Sequence, residues 1–150
     1  MEHFNKETQN KLNDLLEKSY DAEKGFKNEA ENTKSMKLKA FFIKMADKRL
    51  RYRMELKNAL LSKGMEVKED DGSIAGSLHR AWMDTKAFLS IDNDESILEE
   101  VRNGEKAALN DYDDILDNCL LDASTRNILL KHRAAIKESY DTADYLENIN

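Results

Sequence analysis

Apolar side chains recur along this chain in alternating steps of four and three, over four long stretches. From about Lys6 to Asn32 the line is Leu12, Leu16, Ser19, Glu23, Phe26 and Ala30, widened by Leu15 and Ala22. From about Met36 to Lys63 it is Leu38, Phe42, Met45, Arg49, Tyr52, Leu56 and Ala59, flanked by Phe41 and Leu60. The third stretch, about Glu95 to Cys119, gives Leu98, Val101, Glu105, Ala108, Tyr112, Ile115 and Cys119. The fourth, about Ala123 to Asn148, gives Leu129, His132, Ile136, Ser139, Ala143 and Leu146, with Ile128, Ala135 and Tyr140 beside them. A period near 3.5 is that of a helix-bundle seam. Four helices of about 25 residues, each about 38 Å long, are therefore expected.

The punctuation agrees. A short polar turn, NTKS, makes the first two helices antiparallel neighbours. Gly64 stands where a left-handed C-cap belongs. Asp94 and Asp122 are candidate N-caps for the third and fourth helices. Residues 65 to 94 are too long for a tight turn. Within them a shorter helix is expected from about Ser73 to Leu89, with Ile74, Leu78, Ala81 and Trp82 on one side. A connection of that length crosses the whole bundle, the one-crossover topology of ferritin-like folds. A local fold-back would give up-down-up-down instead.

Composition narrows the class. The chain has 150 residues, the size of one domain spanning 1–150, with no proline and five glycines. Charged residues make up 36% and the formal net charge is −6, which disfavours nucleic acid because phosphate contacts need a basic face. The single cysteine, Cys119, excludes an internal disulfide. No apolar run reaches the length of a membrane span. MEHFNKETQNK lacks the apolar core of a secretory signal, so the expected location is cytoplasmic. A homodimer or a protein partner fits a long bundle, although no second apolar stripe is read from the pattern.

The stretch KRLRYRMEL, residues 48 to 56, breaks the pattern by placing Arg49 and Tyr52 on the inward line. Ser19, Glu23, Glu105 and Ser139 lie at similar depth in the other three helices. Together these six are expected to form a buried polar layer. In it Arg49 pairs with Glu23, Glu105 or both, and Tyr52 and Ser139 complete the hydrogen bonds. The competing reading is an arginine that snorkels to the surface.

The segment DDGSIAGSLHRAWMDTKAFLS, followed by NGEKAALNDYDDIL, resembles a bacterial family of ferritin-like four-helix bundles linked to stress responses. LNDLLEKSYDAEKGFKNEAE is similar to that family's first helix. The crossover string containing Ser73, Gly76, His79 and Trp82 is the most specific part. The resemblance implies an all-α, ferritin-like four-helix bundle with a short fifth helix in the crossover between helices two and three. It implies no particular reaction.

Di-metal bundles of the ferritin type take a glutamate from each of two helices and a Glu-x-x-His from each of the other two. Here the second helix carries Arg49-Leu50-Arg51-Tyr52, and the fourth has no Glu-x-x-His. An arginine puts a fixed positive charge where a divalent cation belongs. The first expectation is thus a non-enzymatic bundle without cofactor. The alternative is a redox or storage protein binding iron or manganese at Glu23, Glu105 and His132. A third reading, a lipid- or small-ligand-binding bundle, needs a cavity beside small seam residues such as Ala30, Ala59, Ala108 and Ala143.

Overall fold

The computed structural model describes residues 4–68 and 94–148. These residues form helices α1 (Lys6–Asn32), α2 (Met36–Ser62), α3 (Asp94–Asn118) and α4 (Ala123–Asn148). Among the described residues there is no strand. The four helices make a four-helix bundle. The short helix expected from Ser73 to Leu89, and with it Ser73, Gly76, His79 and Trp82, lies outside the described residues.

Several helix ends satisfy free backbone groups through a local side chain or turn. Asn5 accepts a hydrogen bond from the Thr8 amide at 2.7 Å and caps α1. Ser35 does the same for the Leu38 amide at 3.2 Å and starts α2 after a three-residue turn. At the end of α2, Gly64 adopts φ +79°. The Met65 amide returns to the Leu60 carbonyl and the Gly64 amide to the Leu61 carbonyl. That is a Schellman closure, and Met65 and Leu60 pack in the same apolar cluster behind it. Asp122 caps α4 by accepting from the Thr125 amide, and it also receives the Lys63 ammonium at 2.8 Å. Burial opposes its ionisation, but the bonds from Lys63, Ser124 and Thr125 outweigh that and hold the carboxyl well below the usual range. Asp94 lies in the first turn of α3 and accepts from the Thr33 hydroxyl at 2.7 Å.

Contacts between helices fix their directions. Lys63 at the end of α2 meets Asp122 at the start of α4, and Glu55 meets Lys131 further in. Thr33 at the end of α1 meets Asp94 at the start of α3, while Lys18 and Lys11 meet Asp111 and Asp114. Both pairs are therefore antiparallel, as are α3 and α4, joined across their length by Arg133–Asp113 and Arg102–Asp144. It follows that α2 and α3 run the same way. Asp94 begins α3 at the end of the bundle opposite to the one where α2 finishes.

Two apolar clusters fill the bundle. One contains Leu12, Leu16, Leu56, Leu60, Ile115 and Leu129. The other contains Phe26, Phe42, Met45, Leu98, Val101 and Ala143. The inward line is narrower than expected at Ala59, Ala108 and Cys119, which are only partly buried. On α3, Leu109 and Leu116 turn inward alongside Tyr112 and Ile115. At 3.6 residues per turn a straight helix drifts off a strict 3.5 repeat by about 20° per heptad, so over the three heptads from Leu98 the buried face turns away from Cys119 and toward Leu116.

Candidate functional site

Between the two clusters every helix contributes polar side chains. On α1 these are Ser19 and Glu23, on α2 Arg49 and Tyr52, on α3 Glu105, and on α4 Ser139. In each helix they fall between the residues that enter one cluster and those that enter the other. All are buried except Tyr52, which is partly covered.

Arg49 Nη2 donates to Glu105 Oε1 at 2.8 Å, and the two side chains are only 4% and 5% exposed. The contact runs across the bundle's diagonal, since α2 packs mainly on α1 and α4 rather than on α3. The guanidinium also lies 5.8 Å from the centre of the Phe26 ring, within cation–π range. Arg49 Nη1 has no hydrogen-bond partner among the described residues.

Glu23 does not share Arg49. Its carboxylate accepts from Arg53 at 3.1 Å and from Lys27 at 2.9 Å. Burial works against this carboxylate, yet the bonds from Lys27 and Arg53 prevail and its pKa lies below the ordinary value. Lys27 follows Glu23 at i+4, where the helix surface brings opposite charges together. Arg53 stands one turn beyond Arg49 and lies over the Tyr20 ring at 5.0 Å. The layer thus holds two separate ion-paired groups, Arg49 with Glu105 and Glu23 with Arg53 and Lys27, instead of one shared network.

His132 sits on the inward face of α4, fully buried, with the Tyr52 ring stacked on it at 4.5 Å. Its Nε2 is 2.6 Å from Glu55 Oε1, and Lys131 holds the other Glu55 oxygen at 2.8 Å. Burial lowers the imidazole pKa despite the Glu55 bond, so the ring is neutral and donates Nε2–H to the carboxylate. The pair from Lys131 and His132 in turn lowers the Glu55 pKa. His132 Nδ1 has no partner among the described residues. Tyr52 therefore contributes its ring, and Ser139 Oγ is left without a hydrogen bond among the described residues. The expectation that the Ser139 hydroxyl completes a hydrogen bond of the layer does not hold. Tyr112, in the apolar cluster next to the layer, hydrogen-bonds Ser19, and burial raises its pKa.

Among the described residues the donor set does not fit a di-metal centre. Among the described residues no three His, Cys, Asp or Glu side chains are gathered as a metal-binding group. Glu23, Glu105 and His132, the three candidate ligands, are instead committed to Arg53 and Lys27, to Arg49, and to Glu55. A cation entering beside Glu105 meets a guanidinium already within hydrogen-bond distance. Sequence reasoning missed Arg53 and Glu55, because both lie beside the inward line rather than on it. The i,i+4 spacing of Glu23 and Lys27 was a usable signal for that pair.

No curated protein matches the chain. A family described as a domain of unknown function, DUF2383, matches residues 7–118. That match runs from the first turn of α1 to the last residue of α3. The chain belongs to the DUF2383 family.

Proposed function

We propose that this chain is a non-enzymatic, ferritin-like helical bundle in which a buried polar layer stands in the place of a di-metal centre. In this reading it acts through its structure or a protein partner. One observation carries the reading: the Arg49 guanidinium rests on Glu105 at 2.8 Å in the middle of the bundle. A fixed cation there neutralises the carboxylate that a metal would need, and it cannot be deprotonated to make room. The common direction of α2 and α3 supports the ferritin-like, one-crossover order. A cytoplasmic role in a stress response belongs to the same reading. It rests on the resemblance of the GSIAGSLHRAWMD string and on a lone thiol suited to a reducing compartment.

The test is metal uptake. The purified chain is offered iron(II) in air, or manganese(II), then desalted and analysed for bound metal, and its thermal unfolding is followed with and without each ion. The expected result is no stoichiometric uptake and an unchanged Tm. Stoichiometric metal that disappears in Glu105→Ala would overturn the reading in favour of a redox or storage protein.

A further inference from the structure

Helix α2 carries a second heptad line on the side away from the core. Met36, Ala40, Ile43, Leu50, Met54 and Leu61 follow one another at heptad spacing, with Asp47 and Lys57 filling the two remaining steps. At 100° per residue this line lies about 130° around the helix from Leu38, Phe42, Met45 and Arg49. It is exposed: Met36 by 80%, Ile43 by 54%, Met54 by 41% and Leu61 by 48%. The sequence alone did not single out this stripe as one that demands association. The inward line hid it, and Asp47 and Lys57 interrupt it.

The charges beside this line have one sign. Lys37, Lys44 and Arg51 occupy one flank of a coiled-coil seam and Lys39 the other, and Arg51 pairs with Asp47 of the line itself. Lys37, Lys39, Lys44 and Lys48 have no acidic partner among the described residues. By contrast Lys11, Lys18, Lys27, Lys63, Lys131 and Lys137 are all paired. Within α2 eight basic side chains stand against two acidic ones; Arg49 and Arg53 turn inward to Glu105 and Glu23, which leaves six basic side chains off the core in a chain whose formal net charge is −6.

We propose that the outward face of α2 is a docking surface for an acidic amphipathic helix of a partner protein. The partner would set apolar knobs between Met36 and Leu61 and place carboxylates against Lys37, Lys39 and Lys44. A line one residue wide with heptad spacing is what a helix reads by knobs-into-holes packing. Flanking charges set the choice of partner, and uniformly basic flanks select acidic ones. The same flanks oppose a second copy laid α2 against α2, since like charges would face each other. A membrane surface is the poorer fit, because Asp47 interrupts the line at its middle and the apolar face is narrow. The inference rests on the partner half of the reading above, and none of its apolar positions belongs to the polar layer.

The test uses the full chain and a designed 28-residue probe helix, with leucine on its seam, glutamate at its flanks and a fluorescent label. A probe with lysine flanks is the control. Fluorescence anisotropy is expected to show the acidic probe binding at least tenfold more tightly than the basic one. Ile43→Glu with Met54→Glu should lose at least tenfold, whereas Leu130→Glu, an exposed leucine on α4, should change nothing. Circular dichroism checks that each variant folds. Equal binding of both probes, or binding indifferent to the Ile43 and Met54 changes, would overturn the proposal. So would two other results that depend on the same two residues: self-association in sedimentation, or binding to phosphatidylserine vesicles without binding of the acidic probe. Metal uptake by the wild type would sink the polar-layer reading while leaving this test intact.

Discussion

Replacing Arg49 by methionine, Glu105 by leucine, and both together separates a buried ion pair from two solvated charges. Both side chains are about 95% covered and meet through one bond of 2.8 Å. Opposite unit charges about 4 Å apart attract by about 4 kcal/mol at an effective dielectric constant of about 20. Desolvating the two ions costs several kcal/mol each. Geometry makes the repayment incomplete, because Arg49 Nη1 is buried without a partner and the pair is joined by a single bond. Each single replacement strands the other charge, so each is expected to destabilise by about 3–5 kcal/mol. The double replacement removes both costs and joins the two apolar clusters into one. It is expected to lie within about 1 kcal/mol of the wild type, or to exceed it by about 1–4 kcal/mol. Urea unfolding followed by circular dichroism measures all four proteins. A domain of this size moves its Tm by about 2–4 °C per kcal/mol, so the singles should also melt well below the wild type. The reasoning fails if Arg49→Met costs less than about 1 kcal/mol, which would mean a solvated arginine. It fails equally if the double variant costs the sum of the singles.

Three further outcomes follow from the same geometry. His132 has a folded pKa below its unfolded value of about 6.5, so the unfolded chain takes up the proton first. Stability measured by urea titration should be full above that pH and fall as the pH drops below it, and His132→Phe should flatten this slope. Glu23 has its folded pKa lowered as well, and its contribution should persist to lower pH, being lost only as the pH falls below the ordinary glutamate range; Glu23→Gln removes that acid-side loss. Gly64→Ala should cost about 1 kcal/mol in the same assay, because φ is +79° and an added Cβ meets nothing within 4 Å, leaving only the backbone penalty.

Helix positions were legible because each inward line is long and regular. The bounds of α1 and α4 agree with the pattern, and α2 and α3 differ by a residue at their ends, where caps and last turns are ambiguous. Polar residues on the line were also legible: Arg49, Glu23 and Glu105 stand out because a seam rarely carries charge. Their pairing was not. Whether Glu23 meets Arg49 or Arg53 depends on helix rotation and crossing, which periodicity does not encode. Glu55 was hidden for a related reason. It lies off the line, and only the approach of α4 brings His132 and Lys131 to it. The outward stripe of α2 shares the period of the inward one, so its exposure emerges only when the neighbours of α2 are known.

Diffraction from crystals grown in excess manganese(II), with anomalous data collected at the manganese edge, tests the polar layer most directly. The predicted result is the Arg49 guanidinium on the Glu105 carboxylate and no anomalous peak between α1, α2, α3 and α4. Manganese peaks beside Glu105, or Arg49 turned out into solvent, would contradict it.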